Sequence, residues 1–400
     1  MNVIFLTITR FGNVEDRGIY TDLIRKFRYE GHNVYVVLPI ERCFKIKTFF
    51  EESNGIHLLR VKTLNIQKTS IIEKGIAYLL IETQFKKAIK KYIRNIKFDL
   101  VIYSTPPITF TKAIAFIKNR DCAKSYLLLK DIFPQNAIDI HLMKENSLIH
   151  KMFLKKERQL YKMSDYIGCM SPANVYFILS HNSFIDKTTV EVNPNSEEIG
   201  KEIIYTDKNE IREKYDISID KLVFIYGGNL GKPQAIDFLV DVLGANKNRS
   251  DCYFLIIGSG TEKYKISNWI NENNPNNIKL LSLLPKEEYD NLVRACDVGM
   301  IFLDHRFTIP NYPSRLLSYL DKKMPILCAT DTNTDIGKLA EQNGYGYWCE
   351  SDDVNKFNEC VQKYLDNKDL IKNMGEKGYE FLLNNYTVDI SYNIIMKHFA

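Results

Sequence analysis

The sequence predicts an α/β protein of two domains, each built around a mainly parallel sheet. The chain has 400 residues, which is more than one hydrophobic core usually organises. Short runs rich in Val, Ile, Tyr and Phe alternate with amphipathic stretches along almost the whole chain, a pattern typical of repeated strand–helix units. Hydrophobic residues make up 45% of the chain and charged residues 26%. This composition excludes disordered, fibrous and multi-span membrane proteins.

Twelve apolar runs are predicted to be strands, six in each half of the chain. In the first half they are Val3–Thr7, Val34–Leu38, Leu100–Ser104, Ser125–Leu129, Tyr166–Met170 and Thr189–Val192. In the second half they are Leu222–Tyr226, Tyr253–Ile257, Ile278–Leu281, Val298–Phe302, Ile326–Ala329 and Tyr345–Trp348. The last predicted helices are Lys372–Asn384 and Ile390–His398.

Turn-forming residues separate the two sets of strands. Asn193–Gly200 combines such residues with a proline, so we expect a hinge near 194–206. The predicted domains are 1–196 and 197–380, and a helix in 381–400 is expected to pack back towards the first domain. Ligands of open α/β sheets bind at the carboxyl ends of the strands. We therefore expect the site in the loops there, in a central cleft that both sheets face.

The two halves of the chain differ in charge. The net charge is +5, but residues 1–200 hold 30 basic and 20 acidic residues, a balance of +10, and residues 201–400 hold 24 and 29, a balance of −5. The amino terminus lacks a basic segment, and no run approaches the ~18 apolar residues of a membrane-spanning helix, so any membrane contact is expected to be peripheral. Eight cysteines occur without a Cys-x-x-Cys pair, so neither a zinc site nor a disulfide framework is predicted.

The strongest local signal is a glycine-rich loop after a strand. Gly227, Gly228 and Gly231 precede Gln234, which is predicted to open an amphipathic helix. Glycines let backbone N–H groups approach a phosphate at the positive end of a helix, and Lys232 adds a charge. A tight strand–helix turn without a ligand explains the glycines equally well. The spacing does not match a P-loop.

A second signal is a cation at the start of a predicted helix. Ser314 is a natural N-cap, and Arg315 falls in the first turn, where the helix dipole disfavours a cation unless an anion is also bound. The conflict suggests a bound diphosphate; an ion pair with a neighbouring carboxylate is the alternative. Two weaker loops, Gly258–Gly260 and Leu283–Pro285, have backbone groups that could bind a base, or they are plain turns.

In the first half, Asp131 follows an apolar strand and precedes Ile-Phe-Pro. A carboxylate at that position faces the cleft and could accept a proton from an acceptor hydroxyl or bind its sugar. The alternative is that it caps a short turn.

Two basic, amphipathic segments are candidates for contact with anionic lipid. In Phe85–Lys97, an apolar stripe is surrounded by lysines and an arginine, and Ile149–Lys156 is a second such segment. Charges of this kind gain roughly 1 kcal/mol each at an anionic membrane. The same pattern also suits a solvated helix on a globular core.

Several motifs together resemble a known family. They are Gly-Gly-Asn-Leu-Gly-Lys-Pro-Gln at 227–234, Ile-Ile-Gly-Ser-Gly at 256–260, Ala-Cys-Asp-Val-Gly-Met at 295–300, and Pro-Ser-Arg-Leu-Leu-Ser-Tyr-Leu with Pro-Ile-Leu at 313–327. These segments resemble the donor domain of retaining glycosyltransferases of family 4, which have the GT-B fold of two Rossmann-like domains. Leu-Leu-Leu-Lys-Asp-Ile-Phe-Pro at 127–134 and Val-Asn-Pro-Asn at 192–195 are similar to the capsule and O-antigen branch of that family.

The resemblance implies roles for individual residues. Arg315 occupies the place of the family's cation for the donor diphosphate, and Gly12 lies where the family has a glycine loop near the donor phosphate. The family's Glu-x7-Glu motif is replaced by Pro310 and Ser318, and its phosphate-loop Arg and Lys by Asn229 and Gln234. The catalytic residues expected are Asp131 and Arg315. The donor-binding residues expected are Gly12, Gly227, Gly228, Asn229, Gly231, Lys232, Gln234, Gly258, Gly260, Leu284, Ser314 and Ser318.

The resemblance also implies an activity. We expect a cytoplasmic enzyme, peripheral on the inner face of a bacterial cell membrane, that transfers a hexose or N-acetylamino sugar (of the N-acetylfucosamine type, for example) with retention. The expected donor is UDP-linked and the acceptor is a polyprenyl-diphosphate-linked saccharide of capsule or O-antigen synthesis. No Asp-x-Asp motif follows a strand, so neither a metal nor a cofactor is predicted, and no nucleic-acid partner is expected. The alternatives are a nucleotide-sugar 2-epimerase of the same fold and a non-enzymatic module that binds membrane or nucleic acid.

Overall fold

The computed structural model describes residues 1–66, 69–200 and 207–399. It divides into two compact units. The first comprises Met1–Glu198 together with Thr387–Ala400, and the second comprises Ile199–Tyr386. The hinge expected near 194–206 lies partly outside the described residues.

The first unit is an eight-stranded sheet with helices between its strands. Its strands are β1 Asn2–Leu6, β2 Asn33–Glu41, β3 Phe49–Ser53, β4 Ile56–Thr63, β5 Leu100–Ser104, β6 Lys124–Leu129, β7 Tyr166–Cys169 and β8 Val190–Val192. Its helices up to this point of the chain are α1 Thr21–Tyr29, α2 Ile71–Tyr92, α3 Thr111–Asp121, α4 Gln135–Asp139, α5 Leu148–Met163 and α6 Pro172–His181. The strand order is β3-β4-β2-β1-β5-β6-β7-β8, and all pairs are parallel except β3 with β4.

The antiparallel hairpin of β3 and β4 is absent from the strands predicted above. Its two-residue turn is Asn54-Gly55, with φ of 50° and 73°. Positive φ at both central residues is the geometry that favours an Asn-Gly hairpin turn. The dipeptide was therefore a usable signal, and the runs on either side of it should have been predicted to be strands.

The second unit is a six-stranded sheet. Its strands are β9 Leu222–Asn229, β10 Cys252–Ser259, β11 Ile278–Leu281, β12 Val298–Phe302, β13 Ile326–Thr330 and β14 Gly346–Glu350. Its helices are α7 Lys208–Lys214, α8 Ile236–Asn246, α9 Lys263–Asn273, α10 Lys286–Arg294, α11 Arg315–Asp321, α12 Ile336–Gln342, α13 Val354–Asp366 and α14 Lys368–Asn385. The strand order is β11-β10-β9-β12-β13-β14, and every pair is parallel. The predicted fold class, α/β with mainly parallel sheets, is confirmed.

After α14 the chain returns to the first unit as α15, Val388–Met396. Asp389 forms an ion pair with Lys26 of α1, and the Tyr392 hydroxyl lies 2.8 Å from His32 Nε2. Ile395 is fully buried in the core of this unit. The last helix is thus an integral part of the first unit, since it contributes both to the core and to its polar contacts.

The apolar stripe of the basic segment 85–97 packs inward. Phe85, Ile89 and Ile93 are buried, whereas Lys87 and Lys91 are exposed. The helical part of the segment, up to Tyr92, therefore packs its apolar stripe on a globular core, as in the second of the two interpretations above. Among the described residues, no helix combines the length and apolar character needed to cross a bilayer.

Each sheet has one point at which the strand order reverses direction. In the first unit β1 lies beside β5, and in the second β9 lies beside β12. The helices that follow two such strands leave to opposite faces of the sheet, so a crevice opens at their carboxyl ends, and ligands bind there. The loops after β1 and β5, and after β9 and β12, are therefore the places where a site is expected, and the loop after β6 lies next to the loop after β5.

Candidate functional site

In the second unit, the loops after β9 and β12 meet at the reversal point. The backbone N–H of Asp304, just after β12, donates to the Pro233 carbonyl in the loop after β9 (3.1 Å). The loop after β12 leads to Arg315, the first residue of α11. The glycine-rich segment and Arg315 are thus brought to one end of the sheet.

The glycine-rich segment begins inside β9. Gly227 donates its N–H to the Tyr319 hydroxyl (3.2 Å), and a Cβ at this position would lie 2.6 Å from Tyr289 Cζ. The amide of Gly227 is therefore already bonded, and its lack of a side chain is needed for packing. The predicted helix start is wrong, because Gln234 closes a short 3-10 turn and α8 begins at Ile236.

Two other predicted donor glycines also serve close packing of the backbone. A Cβ at Gly258 would overlap the Gly228 carbonyl oxygen, and one at Gly260 would overlap the Leu230 carbonyl oxygen. The last residues of β9 and β10, and the residues that directly follow them, therefore touch through their main chains. These glycines hold the glycine-rich segment in place.

The backbone amides of the glycine-rich segment that are free to bind a ligand lie after the end of β9. In the part of the chain that the structure describes, the amides of Gly231 and Lys232 donate to no protein acceptor. The Lys232 side chain is exposed. The side chains of Asn229 and Gln234 bond to each other (2.7 Å), which fixes the width of the loop.

Arg315 is a half-buried cation without an anionic partner. Its guanidinium carbon lies 4.2 Å from the centre of the Tyr226 ring, and Nη2 would lie 3.2 Å from a Cβ at Gly228. Nη1 is buried and makes no hydrogen bond. Across the described ranges no carboxylate forms an ion pair with Arg315, so the alternative of a carboxylate partner is not observed. Buried charges are normally paired, and the arrangement therefore leaves a place for an anion.

Ser318 follows Arg315 by one helical turn, and its Oγ is also buried without a hydrogen bond. Ser314 precedes the helix, but its hydroxyl makes no capping bond. The expected side-chain cap is wrong because the backbone of Ser314 is already helical (φ −64°, ψ −17°), whereas a capping residue needs an extended one. Ser314 remains exposed at the edge of the site.

A buried aspartate that the sequence analysis missed fixes the loop that leads to Arg315. Asp331, after β13, accepts hydrogen bonds from the Thr334 hydroxyl and amide (both 2.8 Å). Thr334 Oγ1 in turn accepts from the amide of Asn311 (3.0 Å), four residues before Arg315. Burial raises the pKa of Asp331 to about 6. The Asp-Thr-Asn-Thr run directly after a strand is the signal for such a turn.

In the first unit, Asp131 lies at the carboxyl end of β6. The amides of Lys130 and Asp131 both donate to Thr105 Oγ1, at 3.0 and 3.1 Å. Burial raises the pKa of Asp131 to about 6, and its carboxylate has no partner among the described side chains. The capping alternative is not observed, since α4 begins after Pro134 without a side-chain cap.

Two tyrosines that the sequence analysis missed lie near Asp131. Burial, with the negative charge of Asp131, raises the pKa of both Tyr20 and Tyr78 to about 12. Lys130 directly precedes Asp131, but its Nζ donates to the Asn193 carbonyl (3.3 Å) and burial lowers its pKa to about 7. No sequence pattern connects the two tyrosines with Asp131, because only the fold brings them together.

The remaining predicted site residues lie in other loops. Gly12, after β1, is exposed, and its carbonyl accepts a hydrogen bond from Arg60 Nη2 (3.0 Å). Leu284 is half-buried in the loop after β11. No group of three His, Cys, Asp or Glu side chains in the described residues is arranged to hold a metal ion.

A family model and a curated protein are similar to this chain. Residues 207–381 match the family model of the glycosyl transferases group 1. The chain is 21% identical over 360 residues to the probable glycosyltransferase WbjE of Pseudomonas aeruginosa, covering 85% of this chain and 84% of that protein.

Solved structures share the fold over the whole chain. Sucrose-phosphate synthase of Thermosynechococcus elongatus has a TM-score of 0.77 at 13% identity, covering 100% of this chain and 98% of that one. HepE of Anabaena in complex with UDP-glucose has a TM-score of 0.69 at 13% identity, covering 100% and 99%. The chain therefore shares the GT-B fold of these structures over its whole length, and residues 207–381 are similar to the group 1 glycosyl transferases.

Proposed function

We propose that this protein is a glycosyltransferase that transfers a sugar from a UDP-sugar to a polyprenyl-diphosphate-linked saccharide, with retention of anomeric configuration. The observation that carries the donor half of this proposal is the unpaired Arg315, with one buried nitrogen free of hydrogen bonds. It lies at the reversal point of a parallel sheet, where α/β proteins bind nucleotides. A diphosphate would supply the anionic partner that this guanidinium lacks.

The chemistry asked of these residues is electrostatic. As the bond between the sugar and the diphosphate breaks, negative charge grows on the departing phosphate oxygens. Arg315, the Lys232 side chain and the free amides of Gly231 and Lys232 are donors that can stabilise this charge. In this proposal the donors are fixed by the fold before the bond breaks, so the stabilisation costs no rearrangement. Ser318 would bond to a hydroxyl of the nucleotide ribose.

The acceptor half of the proposal depends on Asp131. A carboxylate with a pKa of about 6 is mostly ionised at neutral pH, yet basic enough to take a proton from an attacking hydroxyl. The hydroxyls of Tyr20 and Tyr78 stay protonated at this pH because their pKa values are near 12. They would bind the acceptor sugar as hydrogen-bond donors.

The setting proposed is the synthesis of capsular or O-antigen polysaccharide, on the cytoplasmic face of a bacterial membrane. Support comes from the resemblance of 127–134 and 192–195 to that branch of family 4. We propose further that transfer needs no metal ion. Full activity after treatment with EDTA is the expected result, and a complete loss that Mn²⁺ restores would contradict it.

A panel of nucleotide sugars tests the donor proposal. A ligand that binds only the folded state at 100 times its Kd adds about 2.7 kcal/mol of stability. We expect UDP-sugars to raise the melting temperature of the wild type more than GDP-sugars do, and to leave Arg315→Ala nearly unchanged. Arg249→Ala is the matched control, because Arg249 pairs with Asp251 before β10 begins, at the opposite end of the sheet. Equal responses of Arg315→Ala and wild type to UDP-sugars would contradict the assignment.

A further inference from the structure

The start of α5 exposes apolar side chains that have no covering element in the first unit. Leu148 is 86% exposed, Ile149 58% and Met152 37%. Leu148 and Met152 are four residues apart and therefore share one face of the helix. We name Leu148, Ile149 and Met152 the apolar tip. Contiguous exposed apolar side chains on a folded protein mark a surface that contacts another molecule.

A basic groove continues from the apolar tip between α3 and α5. Its volume is about 680 Å³. The residues that line it are Thr111, Lys112, Ala115, Met152, Lys155, Lys156, Gln159, Lys162 and Met163. An adjoining groove of about 420 Å³ shares Lys112 and Ala115 and adds Lys86 and Arg120. Neither lining contains an acidic residue, so the surface suits an anion.

One buried carboxylate organises the lysines of the groove. Glu82 of α2 is 2% exposed and lies 3.0 Å from Lys156 Nζ and 3.2 Å from Lys112 Nζ. It neutralises at most one of them. Lys155 has no ion-pair partner in the described residues, and Lys162 lies over the Phe184 ring. Excess positive charge therefore remains along the groove.

The groove is also connected to the proposed acceptor residues. The ring of Phe133, two residues after Asp131, packs edge-on against Phe153 of α5, with 5.0 Å between the ring centres. Phe153 directly follows Met152 of the apolar tip. A molecule held at the tip is thus only a few side chains from the loop that carries Asp131.

We propose that the apolar tip and the basic groove together form a docking surface for an anionic lipid bilayer. The tip inserts among the lipid headgroups, and the lysines bind lipid phosphates. An apolar face bordered by lysines is the pattern of helices that lie in a membrane interface. The inference rests on the lipid-linked acceptor of the proposed function, because docking here delivers such an acceptor next to Asp131.

Vesicle sedimentation with the full chain tests the surface. The probes are vesicles of phosphatidylcholine alone and of phosphatidylcholine with phosphatidylglycerol. The wild type is expected to bind only the anionic vesicles, and high salt should release it because screening weakens attraction between exposed charges. The variant Lys155→Glu/Lys162→Glu should bind at least about tenfold more weakly, since each membrane-facing lysine contributes on the order of 1 kcal/mol. Leu148→Ser/Ile149→Ser should bind more weakly in low salt as well.

Matched controls separate the surface from general charge and general hydrophobicity. Lys368→Glu/Lys372→Glu makes the same change of net charge on exposed positions of α14. Tyr29→Ser removes an apolar side chain that is 70% exposed on α1. Both controls should bind like the wild type. Equal binding by Lys155→Glu/Lys162→Glu and wild type, or equal weakening by the controls, would overturn the inference. So would equal binding of neutral and anionic vesicles.

Two further measurements distinguish the docking surface from the donor site and from a self-association surface. Affinity for UDP should be unchanged in the surface variants, whereas Arg315→Ala should lose UDP binding and keep vesicle binding. A failure of the proposed donor site is therefore distinguishable from a failure of the surface. If Leu148→Ser/Ile149→Ser converts a dimer to a monomer in light scattering and leaves vesicle binding intact, the tip is a self-association surface and the inference is wrong.

Discussion

At the scale of single residues, Arg315 is the most informative position. Its guanidinium stacks on Tyr226 and has a buried nitrogen without a hydrogen bond. Burying an unpaired charge costs free energy unless an anionic ligand pairs with it. The sequence indicated this residue because it places a cation in the first turn of a helix, where the helix dipole disfavours positive charge. The absence of a carboxylate partner could not be predicted, because it depends on every side chain that the fold brings near.

Replacing Arg315 should affect turnover far more than stability. Removing one preorganised donor from a developing oxyanion typically lowers the rate about 10²–10³-fold, and we expect this loss in kcat/KM for Arg315→Ala. The lost stacking on Tyr226 should lower the free energy of unfolding by only about 1 kcal/mol. Arg315→Lys should be intermediate, because lysine keeps the charge but not the planar fork. Unchanged kcat/KM in Arg315→Ala would reject its role.

The pH dependence of the reaction should report Asp131. Its carboxyl is protonated below a pKa of about 6, so kcat/KM should fall as the pH drops through about 6. Asp131→Asn should lower kcat/KM and abolish that acidic limb. Burial makes the ionised form unfavourable in the folded state, so the variant should be no less stable than wild type at pH 7. An unchanged limb near pH 6 would assign it to another group.

Gly227 should be irreplaceable for packing. A Cβ there would lie 2.6 Å from the ring of Tyr289, a rigid side chain that cannot yield locally. Gly227→Ala should therefore lower the free energy of unfolding in urea by about 1–3 kcal/mol. Gly75→Ala in α2 is the control, because no atom lies within 4 Å of its Cβ position. There alanine should be neutral or stabilising.

At the scale of elements, the strands were predictable where burial was continuous. β5, β11 and β12 have the bounds expected from their apolar runs. In the missed β3–β4 hairpin, β3 is polar and half-exposed, whereas the buried apolar residues of β4 and the turn Asn54-Gly55 were usable signals. The start of α8 was misplaced because the loop before it closes in a 3-10 turn. Turn geometry of that kind depends on the bond from Asp304 to Pro233, which is not local in sequence.

The turn after β13 should control the loop that leads to Arg315. Thr334→Val removes the acceptor for the Asn311 amide and one donor to Asp331. Leaving buried groups unpaired costs about 1–3 kcal/mol each, so the variant should be less stable and should raise KM for the donor. Thr332→Val, at an exposed position of the same turn, should change neither. Equal donor KM in Thr334→Val and wild type would show that the loop is held in another way.

At the scale of the whole molecule, the separation of charge gains a structural meaning. The half with a balance of +10 contains Asp131, the basic groove and the apolar tip. The half with a balance of −5 binds an anionic donor, in this account, through local donors in spite of its net sign. The sequence showed this division of charge only as the numbers of basic and acidic residues in each half. It could not separate the lysines on a solvated helix, such as Lys87, from those that line a groove, such as Lys155.

The most direct test of the account is the release of UDP from a UDP-sugar. The comparison is made with and without a polyprenyl-diphosphate-linked saccharide, for the wild type and for Arg315→Ala. The account predicts that the wild type releases UDP only when the acceptor is present, that the product keeps the anomeric configuration of the donor, and that Arg315→Ala releases little. Equal release without acceptor, or appearance of an epimerised sugar, would contradict it and would favour a nucleotide-sugar 2-epimerase.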